Sequence, residues 1–161
     1  PRMTAGRSVA EPLRTHRLAS GRDEMRSRAE QLMDDVSLDR SFLDRYPHEM
    51  SGGQRQRVCL ARALASDPEV LILDESTASL DVSVQANVLD LLAELQREKR
   101  LTYLFIAHDL AVVEQISDTV AVMQNGRVVE SGPAVDILHN PETDYTRMLL
   151  DAIPPETPSR A

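Results

Sequence analysis

Two short apolar segments, residues 70–73 and 102–107, constrain the fold of this chain most strongly. The first is a continuous apolar run, as expected of a parallel strand that is buried on both faces, and the second is predicted to form the next strand. Between them, apolar residues recur at helical spacing: Val84, Val88, Leu91, Leu92 and Leu95. Parallel strands need a long crossover connection, which is usually a helix. The order of strand, helix and strand therefore predicts an α/β fold with a parallel-sheet core.

The rest of the chain adds helices before this unit and a hairpin after it. Further helices are predicted near residues 25–33, 38–43, 51–65, 110–116, 134–139 and 143–152. Segments 119–123 and 127–130 flank Asn125 and Gly126, a pair that favours a hairpin because both residues tolerate positive φ. We therefore expect three parts. They are a helical subdomain over residues 1–66, a sheet core over 67–140, and a C-terminal extension with a loose tail over 141–161.

Composition limits the functions that are open to the chain. The formal net charge of −8 argues against a nucleic-acid-binding surface, which needs a basic face. No apolar run approaches the ~20 residues of a membrane-spanning helix. The single cysteine, Cys59, cannot form an internal disulfide, which fits a cytosolic protein. Its place between Val58 and Leu60 favours a buried packing thiol over a reactive one.

Polar side chains follow both predicted strands. Asp74 and Glu75 come after the first apolar segment, and His108 and Asp109 come after the second. The carboxyl ends of parallel strands meet at one edge of the sheet, where α/β proteins bind ligands. There, a carboxylate can hold Mg²⁺ together with substrate phosphates, and a second can orient or deprotonate an attacking water. The alternative is that both carboxylates only cap the next turn. A histidine at the neighbouring strand end favours the site.

A second candidate site lies at residues 51–54, Ser-Gly-Gly-Gln. Ser51 with Gln54 three residues later predicts a capping box at a helix N-terminus. The free amides of such a terminus bind anions, and Gly52 and Gly53 permit close approach. The alternative is a capping box without a ligand. The arginines at positions 55, 57 and 62 then form only a solvated helix face.

Taken together, these segments resemble the ATPases of ABC transporters. Residues 46–57, Tyr-Pro-His-Glu-Met-Ser-Gly-Gly-Gln-Arg-Gln-Arg, resemble the signature segment of that family. Residues 70–75 resemble its Walker B strand with the catalytic glutamate, residues 79–81 its D-loop, and His108 its switch histidine. Three further segments resemble the dipeptide/oligopeptide importer branch: residues 1–4, 82–85 and 145–147.

The resemblance implies how the signature segment would act. Ser51, Gly52 and Gly53 would contact the γ-phosphate of an ATP molecule that is bound mainly by a partner subunit. Gln54 belongs to the same nucleotide-binding segment. Asp81, in the D-loop, would communicate across the dimer.

The resemblance also assigns the strand-end residues. Asp74 would serve Mg²⁺, Glu75 would act on the hydrolytic water, and His108 would contact the γ-phosphate. Two positions depart from the family pattern. Ser76 stands where the family usually has proline, and Met50 replaces the more usual leucine.

No phosphate-cradling loop of the form G-x-x-x-x-G-K-[ST] occurs within the 161 residues. The only lysine, Lys99, is followed by Arg100 and is not preceded by glycine. The resemblance therefore implies the C-terminal part of a P-loop NTPase domain, without the Walker A and glutamine-loop segments. We expect weak ATP binding by the chain alone. We also expect an uncovered apolar strand that leaves the isolated chain insoluble or without cooperative unfolding.

The expected function is that of an ATP-binding and hydrolysing subunit of an ABC importer for peptides, using ATP and Mg²⁺. Its expected partners are a second ATPase subunit, identical or different, transmembrane permease subunits and, indirectly, a substrate-binding protein. No nucleic acid is expected. The expected location is peripheral, on the cytoplasmic face of the inner membrane. Two alternatives remain open: a non-catalytic remnant that offers only its signature segment to a partner, and a non-transport ABC ATPase.

Overall fold

The computed structural model of the protein describes residues 2–76 and 81–152. The α-helices in these ranges are α1 (Ala5–Thr15), α2 (Arg22–Asp35), α3 (Gly52–Leu64), α4 (Val82–Lys99), α5 (Leu110–Ile116), α6 (Ala134–His139) and α7 (Asp144–Asp151). The strands are β1 (Val70–Asp74), β2 (Thr102–Ile106), β3 (Thr119–Gln124) and β4 (Arg127–Pro133). Two 3₁₀ helices, Arg40–Asp44 and Pro47–Glu49, lie between α2 and α3. None of the described helices is long and apolar enough to cross a membrane.

The chain forms two compact units, Pro1–Ile106 and Ala107–Ala161. In the first unit, helices α1, α2 and α3 pack on one another, and α3 also contacts α4. Strands β1 and β2 pair in parallel, and α4 is the crossover between them. This arrangement confirms the α/β class and the parallel pairing that the sequence predicts. The three-part division at residues 66 and 140 stays a prediction.

Helix α1 has no counterpart among the predicted helices. Pro12 lies inside it, where a proline removes one backbone donor and argues against a helix from sequence alone. The helix forms because Ala5, Val9 and Leu13 line one face and are all buried. Thr4 caps its N-terminus by accepting a hydrogen bond from the Arg7 amide.

The prediction that the first strand is buried on both faces is wrong. Leu71 and Leu73 are buried, but Val70 and Ile72 on the opposite face are 57% and 63% exposed. Ile72 lies opposite Leu104 in the parallel register, and Leu104 is 54% exposed. One face of the two-stranded sheet therefore packs on the core, while the other is open among the described residues.

Cys59 is exposed, so the prediction of a buried thiol is wrong as well. Its neighbours Val58, Leu60 and Ala61 take the buried positions of α3. Cys59 falls outside the face that these residues share, which sequence neighbours alone could not reveal.

In the second unit, β3 and β4 form the predicted antiparallel hairpin. Asn125 and Gly126 have positive φ values of 49° and 76°, as the turn requires. The hairpin packs on α5 and α6 through one apolar cluster: Val113, Val120, Val122, Ala134 and Ile137. The loose tail expected at the C-terminus lies largely outside the described residues.

The Glu130 carboxylate joins this hairpin to α7, in addition to the packing of Tyr145 and Leu149 on the apolar cluster. Glu130 accepts hydrogen bonds from the amides of Glu142 and Thr143, at 2.7 and 3.1 Å. It also accepts bonds from the hydroxyls of Thr143 and Thr146, at 2.7 and 2.5 Å. These bonds, with the Thr146 hydroxyl contributing most, lower the pKa of Glu130 to about 2.

Candidate functional site

The N-terminus of α3 contains the predicted capping box. The Ser51 hydroxyl accepts a hydrogen bond from the Gln54 amide at 3.3 Å, and the Gln54 side chain accepts one from the Ser51 amide at 2.9 Å. Ser51 itself is extended, with φ −66° and ψ 167°, as a residue before a helix should be. The side-chain oxygen of Gln54 is therefore part of the cap.

The cap leaves two amides of the first turn without a partner. The amides of Gly52 and Gly53 donate to no other residue within 2–76 or 81–152. Gly52 is exposed, so an anion can reach the helix end from solvent. Unbonded amides and the helix dipole both favour a negatively charged ligand here.

The arginines of α3 do more than form a solvated face. Arg55 donates to the Met50 carbonyl at 2.8 Å, which holds the residue before the cap. Arg57 donates to the Val36 carbonyl at 2.9 Å, which ties α3 to the end of α2. Both bonds fix the segment that leads into α3, so the solvated-face interpretation fails for these two residues.

Asp74 and Glu75 lie at the carboxyl end of β1, as predicted, and both are exposed. The Glu75 amide donates to the Ile106 carbonyl at 2.9 Å, which continues the pairing with β2. Glu75 has a φ of 44°, in the left-handed region, which costs about 1–2 kcal/mol for a residue with a side chain. A proline at position 76 would push Glu75 towards extended backbone, whereas Ser76 permits this conformation.

His108 is exposed and follows the end of β2, at the start of the second unit. Its neighbour Asp109 is the N-cap of α5 and accepts a hydrogen bond from the Ala111 amide at 3.1 Å. Asp109 therefore has a local structural task. The predicted contact of His108 with a terminal phosphate stays a prediction.

Asp81 caps α4. Its carboxylate accepts bonds from the Val84 amide at 3.0 Å and the Ser83 hydroxyl at 2.7 Å. The Val84 bond, followed by the Ser83 bond, holds the pKa of Asp81 below its usual range. Ser79 and Leu80, the other residues of the predicted D-loop, lie outside the described residues.

The described part of the chain contains no preformed metal centre, and its one lysine is paired with a carboxylate. Within it, no group of three or more His, Cys, Asp or Glu side chains is placed to hold a metal ion. Mg²⁺ usually binds one or two carboxylates together with phosphates and water, so an exposed Asp74 at a strand end fits a shared site.

The Nζ atom of Lys99 lies 2.7 Å from the Asp35 carboxylate, and this ion pair joins α4 to α2.

Comparison with known proteins decides the family. The model of the ABC transporter family matches residues 1–78. Residues 1–78 therefore belong to the ABC transporter family. The chain is 53% identical over 154 residues to the oligopeptide transport ATP-binding protein OppF of Bacillus subtilis, covering 96% of this chain and 50% of OppF.

Two further ABC proteins extend the comparison. The glutathione import ATP-binding protein GsiA of Pectobacterium atrosepticum is 51% identical over 160 residues, which are 99% of this chain and 26% of GsiA. The ATP-binding cassette MJ0796, a dimer bound to ADP and Pi in a post-hydrolysis state, is 31% identical with a TM-score of 0.72. The match covers 83% of this chain and 58% of MJ0796. The chain thus spans about a quarter to a half of the curated relatives it matches.

One residue beside the ABC signature segment was not assigned to the site by sequence reasoning. Val84 lies on the predicted apolar face of a helix and in segment 82–85, which resembles the peptide-importer branch, and it contacts Gly53 from the first turn of α4. A glycine within the first turn of α3, at a position that needs no unusual backbone, was the signal that a neighbour approaches closely.

Proposed function

We propose that the chain serves in the ATP-binding and ATP-hydrolysing subunit of an ABC importer, with peptides as the transported substrates. The nucleotide part of this proposal is carried by the N-terminus of α3. There, the Ser51 cap leaves the amides of Gly52 and Gly53 without a partner among the described residues, and a phosphate is the ligand that such a helix end favours. The substrate class is supported by OppF and GsiA, which are named for oligopeptide transport and glutathione import.

The signature segment contributes to a nucleotide that is held mainly by another subunit. Ser51, Gly52 and Gly53 contact the γ-phosphate of that ATP, and the Gln54 side chain keeps the helix end in position through the capping box. A dimer is supported by MJ0796, whose post-hydrolysis state is dimeric. Asp81, at the start of α4, communicates between the two subunits.

The strand-end residues carry the chemistry. Asp74 would hold Mg²⁺ together with phosphate oxygens and water, and the bound ion would supply charge neutralisation for phosphoryl transfer. Glu75 orients the attacking water and accepts its proton, as a carboxylate beside a phosphate can. His108 donates a hydrogen bond to the γ-phosphate.

The subunit works at the membrane through partners. Transmembrane permease subunits form the path for the peptide, and a substrate-binding protein acts on them from the other side. The subunit itself is peripheral and lies on the cytoplasmic face of the inner membrane. The net charge of −8 supports protein partners rather than nucleic acid.

Reconstitution tests this proposal. The complete gene product is purified from its native cells with the membrane proteins that accompany it and placed in vesicles. We expect it to hydrolyse ATP and to drive uptake of a labelled oligopeptide only when ATP and Mg²⁺ are present. Hydrolysis without ATP-dependent uptake would contradict the importer assignment. A preparation that hydrolyses no ATP would contradict the enzymatic part and favour a non-catalytic remnant.

A further inference from the structure

The backbone conformation at position 53 does not itself require a glycine. It lies in the first turn of α3, is buried, and has no positive φ. Alanine is favoured over glycine within helices by about 1 kcal/mol, so a helical glycine indicates a close neighbour. A Cβ atom added at Gly53 would lie 2.5 Å from the Cγ1 methyl of Val84.

Val84 is the only described residue that this added Cβ would meet. Outside α3's own backbone and the adjacent residues, no other atom of the described chain lies within 4 Å of its position. Carbon atoms in contact are about 3.5–4.0 Å apart, so an alanine at position 53 would force α3 and α4 apart by roughly 1 Å. Val84 cannot easily swing away, because a β-branched side chain in a helix has one strongly preferred rotamer.

Val84 is itself fixed by the cap of α4. Its amide donates to the Asp81 carboxylate at 3.0 Å, and Ser83 donates to the same carboxylate oxygen. The Cα of Gly53, which carries no Cβ, therefore lies close to a methyl group of Val84. The backbone amide of Val84 is in turn hydrogen-bonded to Asp81. The contact between Gly53 and Val84 joins the N-terminus of α3 to the N-terminus of α4.

We propose that Val84 is a positioning residue, which seats the amides of Gly52 and Gly53 through its contact with Gly53 and links them to the Asp81 cap. The inference rests on the proposed function, because it assigns Val84 a part in ATP hydrolysis. Misplacement of a catalytic group by about 1 Å can cost about a hundredfold in rate. The ATP is held mainly by the other subunit, so a shift of α3 lowers kcat and leaves KM nearly unchanged.

A competing explanation is that position 53 is a glycine only because a side chain there would obstruct the nucleotide. The two explanations differ in one respect. If the nucleotide is the neighbour that matters, shortening Val84 cannot relieve an alanine at position 53. If Val84 is the neighbour, it can.

The experiment is a double-mutant cycle in the complete gene product, with kcat, KM for ATP and Tm measured for each variant. The cycle contains Gly53→Ala, Val84→Ala and the double variant. Val82→Ala controls for the loss of a valine, because Val82 lies in the same helical turn and is 83% exposed. Gly132→Ala controls for the gain of a methyl group, because its Cβ would lie 3.6 Å from its nearest neighbour, an ordinary contact distance.

We expect Gly53→Ala to lower kcat by at least about tenfold and to lower Tm, with little change in KM. Adding Val84→Ala should restore most of kcat and Tm, whereas adding Val82→Ala should restore neither. Val84→Ala alone should lower kcat more than Val82→Ala, and Gly132→Ala should keep the wild-type kcat.

Two results would overturn the inference. In the first, adding Val84→Ala to Gly53→Ala restores neither kcat nor Tm, so Val84 is not the neighbour that an alanine at position 53 meets. In the second, Tm recovers but kcat does not, so the contact is packing without a positioning role. A wild-type protein without ATP turnover would instead overturn the proposed function, and the Tm values would still test the contact itself.

Discussion

The Ser51 hydroxyl illustrates how one side chain combines folding and function at the residue scale. It satisfies one amide of α3, that of Gln54, and leaves those of Gly52 and Gly53 for a ligand. A second N-cap, Thr4 on α1, makes the equivalent bond to the Arg7 amide at 3.4 Å. Comparing the two caps therefore distinguishes the stability lost with a helix cap from the activity lost when the proposed ligand-binding end of α3 is disturbed.

We predict that Ser51→Ala and Thr4→Ala each lower the free energy of unfolding by about 1 kcal/mol, the usual cost of removing a hydroxyl N-cap. Only Ser51→Ala should also reduce ATP turnover, because in the proposed function the N-terminus of α3, unlike that of α1, contacts the nucleotide. Chemical denaturation and steady-state ATPase assays of the complete gene product measure both effects. Equal turnover in the two variants would remove the α3 terminus from the site.

At the scale of elements, the Glu130 carboxylate fastens α7 to the hairpin. It accepts four hydrogen bonds, from Glu142, Thr143 and Thr146. Thr143 is also the N-cap of α7, and Thr146 is buried. One ionised side chain therefore helps to hold the start of α7, together with the packing of Tyr145 and Leu149 on the apolar cluster.

This arrangement predicts a loss of α7 docking in acid. The pKa of Glu130 is lowered from 4.5 to about 2, so its stabilisation is fully present above pH 4.5 and is lost as the pH falls towards 2. Glu130→Gln should release α7 at neutral pH, because a neutral amide replaces one acceptor by a donor. Hydrogen exchange of the α7 amides measures both effects. Glu142→Gln is the matched control, since only the backbone of Glu142 takes part, and equal exchange in both variants would refute the fastening role.

The sequence predicted these elements to different extents. Helices and strands with clear periodicity or turn residues, such as α4 and the hairpin at Asn125 and Gly126, were predicted because their signals are local. Helix α1 was missed because Pro12 opposes it locally and its packing on α2 and α3 outweighs that preference. The contact of Gly53 with Val84 could not be predicted, because it joins two helices across 31 positions of sequence.

At the scale of the whole molecule, one face of the β1–β2 sheet is open among the described residues. Val70, Ile72, Leu104 and Ile106 are 46–63% exposed on one face of the β1–β2 pair. A contiguous apolar face of this kind promotes association with other chains. The expectation that the isolated chain is insoluble, or compact without cooperative unfolding, stays a prediction.

We predict that residues 1–161 expressed alone self-associate through this face. Replacing Ile72 and Leu104 by lysine should shift the chain towards monomer, because two charges on the face oppose its burial. Met123→Lys is the control, since Met123 is 59% exposed but belongs to the second unit. Light scattering after size-exclusion chromatography measures the mass. Association that persists in the double variant, or disappears equally in the control, would locate the contact elsewhere.

ATP hydrolysis at the end of β1 is the central proposal, and substitution of Glu75 tests it most directly. ATP binding and turnover are measured in the complete gene product for Glu75→Gln and for Glu94→Gln, an exposed glutamate on α4. Glu75→Gln should bind ATP as the wild type does but turn over about 10²–10⁴-fold more slowly, since it loses the general base at nearly constant volume. Glu94→Gln should match the wild type in both assays. Wild-type turnover by Glu75→Gln would contradict the account.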